Sequence, residues 1–381
     1  MRAAANGFEQ YSKIHCVADA NVAGAVASAL RDLGLPEVFV QRAKQVSLEE
    51  TGGFLGLGLG PTVRSAEDRA ELLRWYVPKR FEAGVMRRVA EAADLFLPGR
   101  GSLFAEDVKL RRAEALDFDE NLLAELSPEG GARPEAYSVL CCIVQRGMAA
   151  PLADVVLDLG LCVPVVSFGE GMGLRNKLGL LRITIPVDKE VIYFVVPERD
   201  ADLVEGLAVH KARLDRPGQG FIYRYPVRAA AVNLRVRRGK RSSAASMEQV
   251  IAALDELRGS SDWRRLAPAK PARGAREGAA SEGGEALYCL SLVAEEGSVG
   301  EFVRAAMDAG AGGATLIPLE HRSYAAGKDR PVHARETCDL IIPERVVAPV
   351  IDAVQSRGLF EPHSLGIAEL SYVAKAVTYR A

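Results

Sequence analysis

YSVLCCIVQRGMAAPLADVVLDLG, residues 137–160, decides the fold class. It opens on an apolar run, Tyr137 to Val144, rich in β-branched and aromatic residues, which predicts a strand. An amphipathic helix follows, with Leu152, Val155, Val156 and Leu159 on one face. It stops at Asp158-Leu159-Gly160, where glycine supplies a left-handed C-cap. The same layout begins at Tyr11 (YSKIHCVA, then Val22, Val26, Leu30 and Leu33, stopping at Asp32-Leu33-Gly34). It begins again at Leu287 (LYCLSLVA, stopping at Asp308-Ala309-Gly310). The interval from strand start to glycine is the same in all three, 11→34, 137→160 and 287→310. Such self-similarity is the signature of a repeated unit.

Working outward, a second strand is expected at Val38–Val40, Val163–Phe168 and Ala314–Leu319. A second set of markers follows: Val77-Pro78-Lys79-Arg80, Val196-Pro197-Glu198-Arg199 and Ile342-Pro343-Glu344-Arg345. Each closes a strand and opens a helix, with proline expected in the first helical turn. A further proline ends each helix region: Pro78→Pro98 and Pro197→Pro217 are equal intervals, and Pro343→Pro362 is one shorter. Two copies then read Gly99-Arg100-Gly101 and Gly218-Gln219-Gly220, the third His363-Ser364-Leu365-Gly366. The order β-α-β-β-α-β predicts an α+β fold of three tandem ferredoxin-like units. The expected boundaries are 8–110, 136–236 and 286–380, joined by linkers 111–135 and 237–285, the latter with one short helix.

The 381 residues suffice for two or three cores. A formal charge of −2 predicts no general affinity for nucleic acid. No apolar run reaches the length of a membrane span and no signal-peptide core is present, so a cytoplasmic protein without membrane insertion is expected. Cys16, Cys141, Cys142, Cys162, Cys289 and Cys338 show no CxxC pair or metal-ligand spacing and read as core packing. No Ser/His/Asp order, acid/base carboxylate pair or P-loop emerges, so no catalytic residue, metal or required cofactor is assigned.

The middle copy resembles the PII-like superfamily of trimeric regulatory proteins. The resemblance rests on Cys142-Ile143-Val144-Gln145-Arg146-Gly147, Gly169-Glu170-Gly171-Met172-Gly173 and Asp188-Lys189-Glu190. It also rests on Pro217-Gly218-Gln219-Gly220-Phe221-Ile222-Tyr223 and Tyr225-Pro226-Val227. It covers about one hundred residues and is nearer the short PII-like variants than classical nitrogen-regulatory PII; the outer copies match in order and spacing. The resemblance implies three units packed as an intramolecular pseudo-trimer, monomeric or further associated. It also implies a small ligand, such as an adenine nucleotide, held between units. A membrane transporter or metabolic enzyme would be the partner, in nitrogen or inorganic-carbon metabolism.

The candidate ligand residues follow. Gly218, Gln219 and Gly220, with Gly99 and Gly101 in the first copy, read either as an anion nest of inward N–H groups or as ordinary turns. Phe221 and Ser102 stand where classical members carry a lysine. Gly169, Gly171 and Gly173, with Arg175 and Lys177, read as an anion clamp or as a flexible hairpin. Arg235 and Arg237 resemble the arginine pair that reaches a neighbour's phosphates, and equally suit a basic linker. Thr51–Gly60 (TGGFLGLGLG) is expected to pack against another repeat, with partner docking as the alternative. His321 and His333, with Arg322, Lys328, Asp329, Arg330 and Arg335, read as solvated loop charges, with a metal or anion site as the alternative.

The sequence thus points to a non-catalytic sensor. The alternatives are a scaffold that keeps the fold without a ligand, and a tandem of ACT-type amino-acid-binding units. Pro-Gly-x-Gly before the last strand argues against the ACT type.

Overall fold

In a computed structural model of the chain, the described residues are 7–51, 62–97, 100–126, 136–172, 188–232, 237–238, 285–324, 333–362 and 364–378. They form a mixed α+β structure with one hydrogen-bonded sheet of 14 strands. All its pairings are antiparallel except one short parallel pair. Seven α-helices occur among the described residues.

The first stretch runs β1 (Glu9–Asp19), α1 (Ala20–Asp32), β2 (Glu37–Thr51), β3 (Thr62–Val77), α2 (Glu82–Ala92) and β4 (Gly101–Arg112), with α3 (Glu120–Ala124) after it. Its strands lie in the order β4-β1-β3-β2. The second runs β5 (Ala136–Gln145), α4 (Ala149–Asp158), β6 (Val165–Met172), β7 (Asp188–Pro197), α5 (Ala201–Ala212) and β8 (Gly220–Ala231), in the order β8-β5-β7-β6. The two-residue β9 (Arg237–Arg238) follows. The third runs β10 (Leu287–Glu295), α6 (Val299–Asp308), β11 (Ala314–Ser323), β12 (His333–Pro343), α7 (Glu344–Ser356) and β13 (Ile367–Val373), in the order β13-β10-β12-β11, and ends on β14 (Lys375–Thr378).

The punctuation expected from sequence is present. Gly34, Gly160 and Gly310, which follow α1, α4 and α6, have φ of 67°, 67° and 107°, the left-handed cap that glycine adopts without a Cβ penalty. The prolines sit one position earlier than expected. Pro78, Pro197 and Pro343 are N-cap residues in extended conformation (ψ 138°, 143° and 154°), so each stands at the corner between strand and helix and does not begin the helical turn. A ring-locked φ suits that corner equally well.

Each helix pair covers one face of its strands. Val26, Leu30, Val85 and Val89 meet Ile14, Leu73 and Trp75 in the first stretch; Leu152, Val156, Val204 and Ala208 meet Leu140 and Phe194 in the second; Val303, Ala306, Val350 and Val354 meet Leu290 and Leu340 in the third. The opposite faces are buried as well. Leu72 and Phe104, Val139 and Tyr193, and Cys289 and Ile317 share one cluster drawn from all three stretches. Every two stretches are hydrogen-bonded at two places. The first and second join through Lys44↔Val166 and Phe104↔Ala229, the second and third through Thr315↔Gly171 and Ala376↔Tyr223, and the first and third through Glu320↔Val40 and Glu369↔Leu110.

Part of the expected linker 111–135 is structured. Asp119 caps α3 by accepting from the N–H groups of Asn121 and Leu122 at 3.1 and 3.2 Å, and Leu123 is fully buried on the first core. Strands β2 and β3 pair as far as Thr51↔Thr62, so the apolar tip at 52–61 lies outside the described residues. So do residues 239–284 of the second linker; Arg237 and Arg238 pair in parallel with Leu48 and Glu49. All six cysteines are buried, and burial pushes the Cys16 and Cys142 thiols up to about 12. No helix among the described residues is long and apolar enough to cross a membrane.

Candidate functional site

Alternation along the strands sends every second residue to the inner face. On β1 these are Lys13 and His15; the residues opposite them on β3 are Tyr76 and Arg74, and on β4 Glu106 and Phe104. The second stretch brings Cys141, Tyr193 and Tyr223 side by side, and the third Ser291, Asp339 and Glu369. All of these except Phe104 and Cys141 line a cavity of about 30 Å³. That is room for about two water molecules. It is far smaller than a nucleotide.

The charges here are paired across stretches. Lys13 Nζ binds Glu369 and lies 4.0 Å from Glu106. His15 Nε2 is 2.8 Å from Glu106 Oε1, and the Tyr76 hydroxyl donates to Glu369. Arg74 Nη2 donates to the Tyr193 hydroxyl at 3.1 Å, while its buried Nε has no partner among the described residues. Asp339 accepts from Ser291 at 2.6 Å and Tyr223 at 3.2 Å. Burial pulls His15 down to about 4 despite Glu106, so the imidazole is neutral. Burial also opposes the charge on Lys13, but Glu369 and Glu106 outweigh it and hold the ammonium above its ordinary range. An unpaired buried charge costs several kcal/mol, so this cluster ties the three stretches into one arrangement.

A second polar group lies where the first stretch meets the third. Glu37, at the start of β2, takes both Arg112 nitrogens of the fork, one at 3.1 Å, and His321 Nε2 at 2.9 Å. Burial raises a carboxyl, but His321 and Arg112 prevail and bring Glu37 down to about 2. His321 stacks on Phe39 at 4.8 Å and leaves its buried Nδ1 without a partner among the described residues. Arg335 is 3% exposed, and among the described residues its guanidinium makes one hydrogen bond, from Nη1 to the Ser364 carbonyl at 3.4 Å. This corrects the expectation of solvated loop charges: His321, Arg322, His333 and Arg335 are strand residues, His321 pairing across from His333. Strands β11 and β12 run further than the apolar pattern showed because β2 lies alongside β11 and covers it. Lys328, Asp329 and Arg330 lie outside the described residues.

The expected glycine sites are placed in part. Gly169 opposes Lys189, Lys189 opposes Gln145, and Gln145 Nε2 donates to the Gly218 carbonyl at 2.9 Å. The two glycine groups of the middle stretch therefore share one end of its sheet, roughly 14 Å apart at three strand spacings. Lys189 stands between them. Gly171 opposes Thr315 of β11. Backbone approach explains several of these glycines: a Cβ would come within 2.5 Å of the Leu316 carbonyl at Gly169, 2.0 Å of the Ile143 carbonyl at Gly220 and 2.1 Å of the Val17 carbonyl at Gly101. Gly218 differs. Its φ is +73° and its Cα faces open space, with Gln219 next to it. Gly99, Gly173, Arg175, Lys177 and Arg235 lie outside the described residues, and Arg237 sits in β9 beside Leu48.

No protein-family model matches the chain, and a search of curated proteins finds no match either. Lys13, His15, Arg74, Glu106, Glu369, Glu37 and Arg112 were not legible as site residues, whereas His321 was read with a metal or anion site as the alternative and Lys189 only as part of a motif. The only signal was charge in strands whose neighbours are wholly apolar, as in YSKIHCVA.

Proposed function

We propose that the three stretches are ferredoxin-like units of the PII-like kind, packed as a pseudo-trimer within one chain, and that the protein is a non-catalytic regulator. A small ligand, with an adenine nucleotide as the first candidate, binds in a seam between units and biases the state of a nearby loop. That state is read by a transporter or metabolic enzyme. The observation that carries this is the double hydrogen-bonding of every stretch to both others, which builds three inter-unit seams from one polypeptide. The row from Gly169 through Lys189 and Gln145 to Gly218 supports it by gathering glycines and a cation at one sheet end. A ligand changes signalling only by preferring one loop state.

Titration calorimetry with ATP, ADP, AMP and cyclic AMP, each with and without bicarbonate, tests this. Saturable micromolar binding is expected for at least one nucleotide. Absence of heat from folded protein removes the nucleotide.

A ligand-free scaffold is the second proposal. It is favoured by the close backbone contacts that account for Gly101, Gly169 and Gly220 without a ligand, and by the small central cavity.

A further inference from the structure

We infer that the seam between the first and third units holds a planar, singly charged oxyanion, a carboxylate-class group, on the guanidinium of Arg335. The inference rests on reading the seams as ligand sites, and it names the chemistry of one of them.

Like Arg74, which donates to the Tyr193 phenol, Arg335 has no carboxylate partner among the described residues, and this sets both apart from the paired arginines of the seams. Arg112 is matched by Glu37, Arg228 by Glu82 and Asp107, and Arg224 by Asp202 and Glu198. Arg335 is as buried as the core, yet among the described residues it has no ion pair and a single long hydrogen bond. A guanidinium carries five N–H donors in a rigid fork, so most of this one is unused. Burial lowers its pKa; Glu295 and Glu37 oppose that only in part, and Arg112 adds repulsion. Arg112 and Arg228 move the other way, with carboxylates bound to them.

The surroundings suit a ligand. Arg335, Thr337 and Asp339 alternate onto the inner face of β12, and Leu319 lies directly opposite Arg335. Phe39, Tyr76, Val108, Leu110, Val293, Leu319 and Ile367 form one apolar cluster between the two units. Ser364 belongs to the turn before β13, fixed by hydroxyl bonds to the Leu359 and Glu361 carbonyls. It occupies the place that Gly218 takes in the middle unit, where Gln145 reaches the loop carbonyl.

The charge of the occupant follows from the neighbours. Glu37 is already neutralised by Arg112, but it, Glu295 and Glu114 all act on Arg335. A second negative charge would meet these carboxylates. One planar charge would match the fork as a carboxylate does, through two parallel N–H bonds.

Thermal unfolding of the full chain in formate, chloride and sulfate at matched ionic strength tests this. Formate is expected to raise the melting temperature of the wild type above either control, in a saturable way. Arg335→Met should weaken formate about 10- to 100-fold and, without anion, melt no lower than wild type. Arg335→Lys, which keeps charge but not the fork, should fall between. Arg80→Met, at an exposed ion pair, should leave the formate effect intact. An equal formate effect in Arg335→Met, or no preference for formate in the wild type, overturns the inference. Calorimetry with nucleotides separates the two levels. A formate effect without nucleotide binding keeps Arg335 and removes the nucleotide, and nucleotide binding without a formate effect does the reverse.

Discussion

Arg74 of the first stretch donates from Nη2 to the phenolic oxygen of Tyr193 in the second, 3.1 Å away across the inner face. The two occupy corresponding places. Arg74 lies opposite His15 on the first strand of its stretch, Tyr193 opposite Cys141, and Asp339 of the third stretch opposite Ser291. Three identical chains around an axis would bring three arginines or three aspartates together there. Here three different stretches of one chain bring a cation, a phenol and a carboxylate. Tyr193→Phe should remove the only side-chain hydrogen bond that the buried Arg74 guanidinium makes among the described residues, where it already has one orphan nitrogen. A loss of about 1–3 kcal/mol is expected in denaturant unfolding. Tyr372→Phe, at an exposed ring, should stay within about 0.5 kcal/mol.

The glycines of the Pro-Gly-x-Gly turn separate by role. Gly220→Ala drives a Cβ into the Ile143 carbonyl, so it should cost more than about 3 kcal/mol or prevent folding. Gly218→Ala meets no atom and costs only the left-handed conformation, about 1–2 kcal/mol. Gly218→Ala is therefore the variant that tests the anion nest. It should fold and lose nucleotide binding in calorimetry, and unchanged affinity would remove the nest.

Acid should loosen the centre of the molecule. The unfolded chain binds a proton at His15 near its ordinary pKa of about 6.5, whereas the buried imidazole resists protonation until about 4. Protons therefore favour unfolding across that window. Its contribution is complete above about pH 6.5 and is lost as pH falls through 4, on the order of 3 kcal/mol. Glu37 and Glu82, each held near 2, act lower down: their contribution is present above about 4.5 and is lost toward pH 2. Unfolding free energy measured from pH 7 to 3 should fall throughout, and His15→Phe should flatten the part between 6.5 and 4.

Glu37→Gln leaves Arg112 and His321 without their shared carboxylate at a buried seam. Removing one partner of a buried pair typically costs about 3–5 kcal/mol. The loss should be smaller for Arg42→Ala, whose partner Glu320 is engaged by a side chain that is almost wholly exposed. Denaturant midpoints of the two variants check the contrast.

The α+β class and the order of elements were legible because they depend on local chemistry. Gly34, Gly160 and Gly310 end helices for a conformational reason that any glycine at that place carries. The inner face was not. Lys13 and His15 alternate with apolar residues in YSKIHCVA, the pattern of a strand with one wet face, yet both faces of β1 are covered. What covers the second face is other strands more than fifty residues distant in sequence, such as Glu369 against Lys13. His321 and Arg335 were hidden for a related reason. Their charges read as loop because β2, the strand that pairs with β11 and lengthens this part of the sheet, comes from the first stretch of the chain. The glycine pattern, conversely, looked like a ligand loop at places where backbone approach alone demands glycine.

Native mass spectrometry of the full chain with adenine nucleotides measures the central claim most directly, since it reads chain number and bound ligands together. The three-seam regulator predicts folded assemblies in which each 40.9 kDa chain carries at least one nucleotide at micromolar concentration. Folded chains that carry none of the nucleotides at any concentration would contradict it.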